Sequence, residues 1–142
     1  MIRKKAFTPE EILPAGVDYA MAVNPFTGLT GKIRKATVAA SLNNIALLNK
    51  LLVEDTELDQ IRRIDKAISK LIPSLKVVGV FDLFSLDEWA SNDLQLGRIY
   101  IVLIYLKQYP EEMTDRLASI LKKIKKNTKS RSLRSKLDTI LK

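Results

Sequence analysis

The longest uninterrupted run of apolar side chains lies between Leu94 and Tyr109, and the rest of the chain is expected to pack around it. Residues 99–106 are eight consecutive apolar or aromatic positions (IYIVLIYL), so this part of the segment has no polar face. Its composition is typical of a strand, and Gly97 weakens a helix. The segment is nevertheless about twice as long as the ~4–8 residues of most strands, and Pro110 ends it abruptly. We therefore predict a buried central helix over residues 94–109.

Further stretches carry apolar residues at threes and fours, which is the spacing of amphipathic helices. They are residues 32–53, 56–73, 110–126 and 132–141, together with a short helix that begins at Ser85 and carries Trp89. Pairs with the spacing of a capping box are Thr56 with Asp59, Ser85 with Glu88 and Asn92 with Gln95. Pro73 is expected to end the second of these helices. Residues 75–84 are mostly apolar with Gly79 in the middle, and either a short strand or an irregular buried connection fits them.

The N-terminal part of the chain has the weakest helical signal. Thr8-Pro9-Glu10-Glu11 is a well-formed start for a helix of about one turn, which Pro14 stops. Residues 17–23 then alternate between larger apolar and smaller or polar side chains, as in a short half-buried strand. An extended or looped segment is therefore predicted before the first long helix, and a small hairpin is one option for it.

These elements together predict the fold class. A chain of 142 residues is one domain by default, and no internal repeat suggests a solenoid. We predict a mainly α, single-domain bundle over residues 1–142, with five to seven helices around a buried central helix. Residues 1–31 form its irregular N-terminal segment, with a short extended or looped part, and residues 116–142 form basic C-terminal helices.

The residue types that are missing limit the chemistry. The chain contains neither cysteine nor histidine, which removes disulfides, zinc sites of the usual kind, Ser-His and Cys-His nucleophile pairs and imidazole acid–base catalysis. An enzyme that relies on lysine, serine and carboxylates stays open, but no convergent set of such residues supports one. We therefore expect no enzymatic activity, no cofactor and no metal.

The N-terminus has basic residues without an apolar core behind them, and no apolar run approaches the ~20 residues of a membrane span, so a cytoplasmic location is expected.

A glycine-containing loop precedes the first long predicted helix and has a basic continuation. Its candidate anion-binding residues are Gly28, Gly31, Lys32, Arg34 and Lys35. Free amide groups at a helix start hold phosphate or carboxylate groups, and basic residues there oppose the helix dipole. The sequence does not match a P-loop, because Phe26 and Ile33 stand where that motif needs glycine and serine or threonine. The simpler alternative is a turn with solvated lysines.

The excess positive charge is concentrated at the C-terminus. Residues 116–142 contain ten Lys/Arg and one acid, whereas residues 1–115 contain fourteen Lys/Arg and fifteen acids. Helix capping uses only one or two cations at each helix end, so capping does not account for this density. We predict one exposed cationic surface that consists of Lys122, Lys126, Arg131, Arg134 and Lys136. The simpler alternative is that the apolar faces of these helices dock on the core while the lysines are only solvated.

The function that fits these features best is binding of a macromolecule. We predict a non-enzymatic interaction or regulatory module whose basic C-terminal surface meets an acidic protein partner. The alternative is a small nucleic-acid-binding protein that uses the same C-terminal helices. Residues 116–142 contain no aromatic side chain, and single-stranded nucleic acids are usually bound with aromatic stacking.

Overall fold

Seven α-helices follow a short β-hairpin in the part of the chain that the structure describes. The structure, a computed structural model, describes the backbone of residues 19–23, 30–34 and 37–40 and all atoms of residues 41–142. The strands are β1 (Tyr19–Val23) and β2 (Thr30–Arg34), which pair antiparallel with Tyr19 opposite Arg34. The helices are α1 (Thr37–Glu54), α2 (Leu58–Val77), α3 (Val80–Leu83), α4 (Leu86–Ala90), α5 (Leu96–Gln108), α6 (Asp115–Asn127) and α7 (Arg131–Ile140), with a 3-10 turn at Pro110–Glu112. The predicted mainly α bundle is confirmed.

The predicted central helix is α5. All eight residues from Ile99 to Leu106 are buried, whichever direction they point. Helices α1, α2, α4 and α7 and the 3-10 turn all contact α5, so it is covered on every side as its sequence requires. Buried residues from Ile45 to Leu137 belong to one hydrophobic cluster, and the described helices therefore share a single core.

The start of α5 differs from the prediction, because its cap comes from another helix. Asn92 does not cap α5 with Gln95; its side-chain oxygen accepts a hydrogen bond of 3.0 Å from the Leu94 amide and forms a local turn. The amide of Gly97 instead donates to the Asn49 side-chain oxygen of α1 at 3.1 Å. A free amide in the first turn of α5 is thus satisfied by a tertiary contact.

Pro73 does not end α2, which continues to Val77, so this prediction is wrong. A proline has no N–H for the carbonyl four residues earlier, here that of Ser69. The side-chain amide of Gln108, at the end of α5, donates to the Ser69 carbonyl oxygen at 2.6 Å. Because another helix satisfies the freed acceptor, α2 tolerates the proline.

Two predicted helix starts are also wrong. The first long helix begins at Thr37 rather than at residue 32, because residues 30–34 pair with β1. Thr56 does not cap α2, since Asp55 and Glu57 on either side of it adopt left-handed backbone angles (φ 54° and 57°) and form a tight turn. The hairpin itself confirms the extended N-terminal element, whereas the predicted helix start at Thr8 lies outside the described residues.

The remaining connections between the helices are short. The short strand considered for residues 75–84 is wrong, because the stretch is helical at both ends, with Gly79 (φ 87°) at the break between α2 and α3. The predicted N-cap of α4 is confirmed, with Ser85 Oγ accepting from the Glu88 amide at 3.2 Å. The Glu88 carboxylate accepts from the Ser85 hydroxyl at 3.2 Å and not from its backbone amide, so the capping box is only half formed. Pro110 starts a 3-10 turn instead of an α-helix, and α6 begins after Thr114, whose hydroxyl caps it.

Among the helices that the structure describes, none is both long and apolar enough to cross a membrane.

Candidate functional site

The predicted cationic surface is divided between two sides of α7. Lys136 is not on an exposed surface: only 13% of its side chain is accessible, and its Nζ lies 3.0 Å from the Asp65 carboxylate of α2. Arg134 lies two positions earlier on α7, which is a rotation of about 200°. Its guanidinium donates to the Thr128 carbonyl on the α6 side. Including Lys136 in the exposed surface was therefore wrong.

Lys136 belongs to a polar cluster that joins α2, α5 and α7. The Tyr100 hydroxyl donates to Asp65 Oδ2 at 2.6 Å, and Lys136 Nζ donates to the same oxygen at 3.0 Å. The Ser69 hydroxyl lies 3.2 Å from the other carboxylate oxygen. Burial alone raises the pKa of the Asp65 carboxyl, but these donors outweigh it and hold the pKa below its usual range. Burial and the neighbouring carboxylate raise the pKa of Tyr100, so the phenol remains a donor.

The other members of the predicted surface are exposed. Lys122 and Lys126 lie one turn apart on α6, and Arg131 and Arg134 lie in the first turn of α7. None of these four forms an ion pair with a residue that the structure describes. They remain candidates for an interaction with an acidic molecule.

The predicted anion site at the glycine loop loses its structural basis. Gly31, Lys32 and Arg34 lie in β2, which pairs antiparallel with β1, and not in the first turn of a helix. Gly28 and Lys35 lie outside the described residues. Anion binding by these five residues stays a prediction without the helix start that motivated it.

A second polar cluster fixes the end of α5 to the 3-10 turn. Lys76 Nζ and the Tyr105 hydroxyl both bond to Glu112 Oε2, at 3.0 and 2.6 Å. Lys76 also lies 3.8 Å from the centre of the Tyr109 ring, a favourable cation–π distance. Burial and Glu112 together raise the pKa of Tyr105.

Among the described residues, no group of three or more acidic side chains is placed to hold a metal ion.

The sequence did not predict an apolar groove, which runs between α1 and α3. It encloses about 700 Å³. Its walls and ends are formed by Leu42, Ile45, Ala46, Asn49, Val80, Leu83, Phe84, Trp89, Gln95 and Arg98. Leu42 on one wall and Leu83 and Phe84 on the other are 58%, 64% and 50% exposed. Large apolar side chains therefore face solvent on both sides of one depression.

One aromatic and one basic residue distinguish this groove from a simple apolar depression. Trp89 is buried at the groove, and its indole N–H finds no acceptor among the described residues. The Arg98 guanidinium carbon lies 5.4 Å from the centre of the Trp89 ring, and Arg98 forms no ion pair within the described part of the chain. The groove thus combines apolar walls with one available cation.

A signal for the groove is present in the sequence of α1. Leu42 is apolar but exposed on the groove side of α1, so the apolar positions of α1 extend beyond its buried face. The run at 75–84 likewise continues to Leu83 and Phe84 after the chain has left the core. An excess of apolar residues on two neighbouring elements indicates a shared exposed surface.

Comparison with known proteins finds one family whose model spans the residues that line the groove. The model of a domain of unknown function, DUF7709, matches residues 28–109. Every groove residue lies inside that range, whereas α6 and α7 lie after it. No curated protein and no solved structure matches the chain. Since the match covers more than half of the 142 residues, the chain belongs to the DUF7709 family.

Proposed function

We propose that this chain is a non-enzymatic, cytoplasmic interaction module that binds an acidic protein partner in the groove between α1 and α3. The observation that carries the proposal is the exposure of Leu42, Leu83 and Phe84 around Trp89. Exposed apolar side chains that are scattered singly need no explanation, but a contiguous group on facing walls is typical of a docking surface.

The shape of the groove favours a helical segment as its occupant. Two helices, α1 and α3, line its sides, and an amphipathic helix binds such a groove with apolar residues at i, i+3, i+4 and i+7. Burying Leu83 and Phe84 under such a segment removes apolar surface from water, and each side chain contributes on the order of 1 kcal/mol or more. The groove is large enough for several side chains of the partner.

The charge at the end of the groove favours an acidic occupant. Arg98 lies beside Trp89 without an ion pair among the described residues. A partner carboxylate there meets a guanidinium that already lies over an aromatic ring, which lowers the cost of holding the arginine in place. An apolar helix flanked by glutamate or aspartate therefore fits better than one flanked by lysine.

The ionisable groups with shifted pKa values support a binding role over a catalytic one. Asp65 and Tyr100 bond directly to each other and to Lys136, and Tyr105 bonds to Glu112. Each of these clusters joins separate elements of the fold and stabilises their packing. None of their members lines the groove.

The proposal is tested with two designed amphipathic peptides that share one leucine face and carry either glutamate or lysine beside it. Trp89 is the only tryptophan of the chain, so its fluorescence reports occupation of the groove. We expect the glutamate peptide to change Trp89 emission saturably and the lysine peptide to bind more weakly. Leu83→Ser with Phe84→Ser should weaken binding of the glutamate peptide by about tenfold or more, since two apolar side chains are removed from the groove wall.

A matched control removes exposed apolar residues that are not part of the groove. Val53 and Leu58 are 62% and 52% exposed and line no part of the groove. Val53→Ser with Leu58→Ser should leave peptide affinity unchanged. Equal losses in the two double variants, or no saturable response to either peptide, would contradict the proposal. A concentration-dependent dimer that the Leu83/Phe84 variant abolishes would instead assign the groove to a second copy of the chain, which also contradicts it.

A further inference from the structure

A second surface, separate from the groove, lies where α6 turns into α7. We propose that this turn surface, formed by Lys122, Lys126, Lys129, Arg131 and Arg134, binds the phosphate backbone of duplex nucleic acid. All five residues are exposed. They also lie outside the matched family region. The test of this proposal is therefore independent of the test of the groove.

The position of the two arginines is the first argument. Arg131 and Arg134 lie in the first turn of α7, where the helix dipole favours acidic residues. The free amides of that turn are already capped, because Ser130 Oγ accepts from the Leu133 amide at 3.3 Å and Asp55 accepts from the Arg131 amide at 3.1 Å. The stability of α7 therefore does not require cations here, and the dipole opposes them.

One contact places Arg134 across the turn, next to the end of α6. The Arg134 guanidinium donates to the Thr128 carbonyl near the end of α6, so its side chain crosses the turn. Lys126 lies in the last turn of α6, and Lys129 follows that helix. Cations from both helices thus surround one short connection.

One carboxylate lies at this turn, that of Asp55, which accepts from the Arg131 and Ser132 amides; five cations against this one acid leave the turn surface with a net positive charge. Asp138 is the only acid between residues 116 and 142, and it pairs with Lys125 at 2.5 Å. Asp65 pairs with Lys136 on the other side of α7. No ion pair joins any of the five turn-surface cations to a residue that the structure describes.

The chemistry of the surroundings selects the type of polyanion. The large apolar residues Leu117, Leu121, Leu133 and Leu137 are buried, so they are not available for insertion into a lipid surface. Residues 116–142 contain no aromatic side chain on which unpaired bases stack. A duplex backbone requires only cations placed along it, and it is therefore the partner that these residues fit.

The test measures binding of a short mixed-sequence DNA duplex to the full chain by fluorescence anisotropy over a range of salt concentrations. We expect log K to fall linearly with log salt. Changing Lys126, Lys129 and Arg131 to glutamine should reduce the slope by roughly 2–3, at ~0.9 for each phosphate that is no longer neutralised, and weaken binding by at least about tenfold at low salt.

The control removes the same charge from an exposed face of α2, through glutamine at Arg63, Lys66 and Lys70. This variant should keep the parent slope. Equal losses in both triple variants would indicate attraction by net charge alone and would overturn the proposal. Absence of duplex binding at low salt would also overturn it, as would tighter binding to polyglutamate or to phosphatidylserine vesicles. If the triple variant fails a thermal-unfolding check, Lys126→Gln with Lys129→Gln gives the same comparison with an expected slope change of about two.

Discussion

At the scale of single residues, Gly97 determines how closely α1 and α5 approach each other. A Cβ at this position would lie 2.5 Å from the Ile45 carbonyl oxygen and 2.9 Å from the Asn49 amide nitrogen. Both neighbours are backbone atoms of α1, which cannot rotate away as a side chain does. The glycine weakens α5 intrinsically, but it permits the close approach and the hydrogen bond from its own amide to Asn49.

This close approach predicts that Gly97→Ala destabilises the protein. In an exposed helix the same change stabilises by about 1 kcal/mol, whereas here the added methyl group must separate two packed helices, which costs roughly 1–3 kcal/mol. The free energy of unfolding from urea denaturation checks the sign. A stabilising effect would show that α1 and α5 pack more loosely than these distances indicate.

The central position of Leu103 gives a second prediction at this scale. Leu103 is fully buried in α5, so Leu103→Ala removes apolar atoms from the core and leaves a cavity. We expect a loss of roughly 2–5 kcal/mol in the free energy of unfolding. Exposed Leu94, which is 76% accessible, provides the control, and Leu94→Ala should change stability by less than about 0.5 kcal/mol. Similar small effects at both positions would show that α5 is not the core.

At the scale of elements, interactions between residues distant in sequence determine where helices end and how α7 docks. Pro73 remains inside α2 because Gln108, 35 positions later, bonds the carbonyl that the proline leaves free. The local sequence around Pro73 does not show that a distant residue will bond this carbonyl, and the predicted helix end was wrong for this reason. By contrast, the N-cap at Ser85 was predicted correctly because the bonded atoms lie within four consecutive residues.

The cluster around Asp65 predicts how stability depends on pH. The pKa of Asp65 is lowered in the folded protein, whereas an unfolded aspartate titrates near ~3.9. The folded state therefore favours the ionised carboxylate, and the resulting stabilisation is complete above about pH 4 and is lost as pH falls through the lowered pKa. We expect the stability difference between the parent and Asp65→Asn to be constant at neutral pH and to shrink under acidic conditions.

Urea denaturation at a series of pH values measures this difference. Asp59→Asn is the matched control, because the Asp59 side chain is 87% exposed and lies 3.6 Å from Arg62. It should cost little at any pH, as exposed ion pairs do. A parent–Asp65→Asn difference that stays constant or grows in acid would contradict the role of the carboxylate in docking α7.

At the scale of the whole molecule, the candidate sites divide into a part that the sequence predicts and a part that it does not. The exposure of Lys122, Lys126, Arg131 and Arg134 follows from the positions of buried leucines on the same helices. The separation of Lys136 follows only from the location of Asp65 on another helix. The groove was not predicted, because the excess of apolar residues on α1 and in residues 75–84 does not show which of these side chains are exposed, and only the packing distinguishes them from those of the core.

The central claim is that the groove selects an apolar helix with an acidic flank, and a charge reversal at Arg98 tests it most directly. The measurement is the affinity of the glutamate and lysine peptides for the parent and for Arg98→Glu, followed through Trp89 fluorescence. We predict that the parent prefers the glutamate peptide by roughly three- to tenfold and that Arg98→Glu prefers the lysine peptide by a similar factor. Arg62→Glu, an equal charge change at an exposed site on α2 outside the groove, should keep the parent preference. If Arg98→Glu keeps the parent preference, or if Arg62→Glu reverses it equally, the groove does not select its partner by charge at Arg98 and the central claim is wrong.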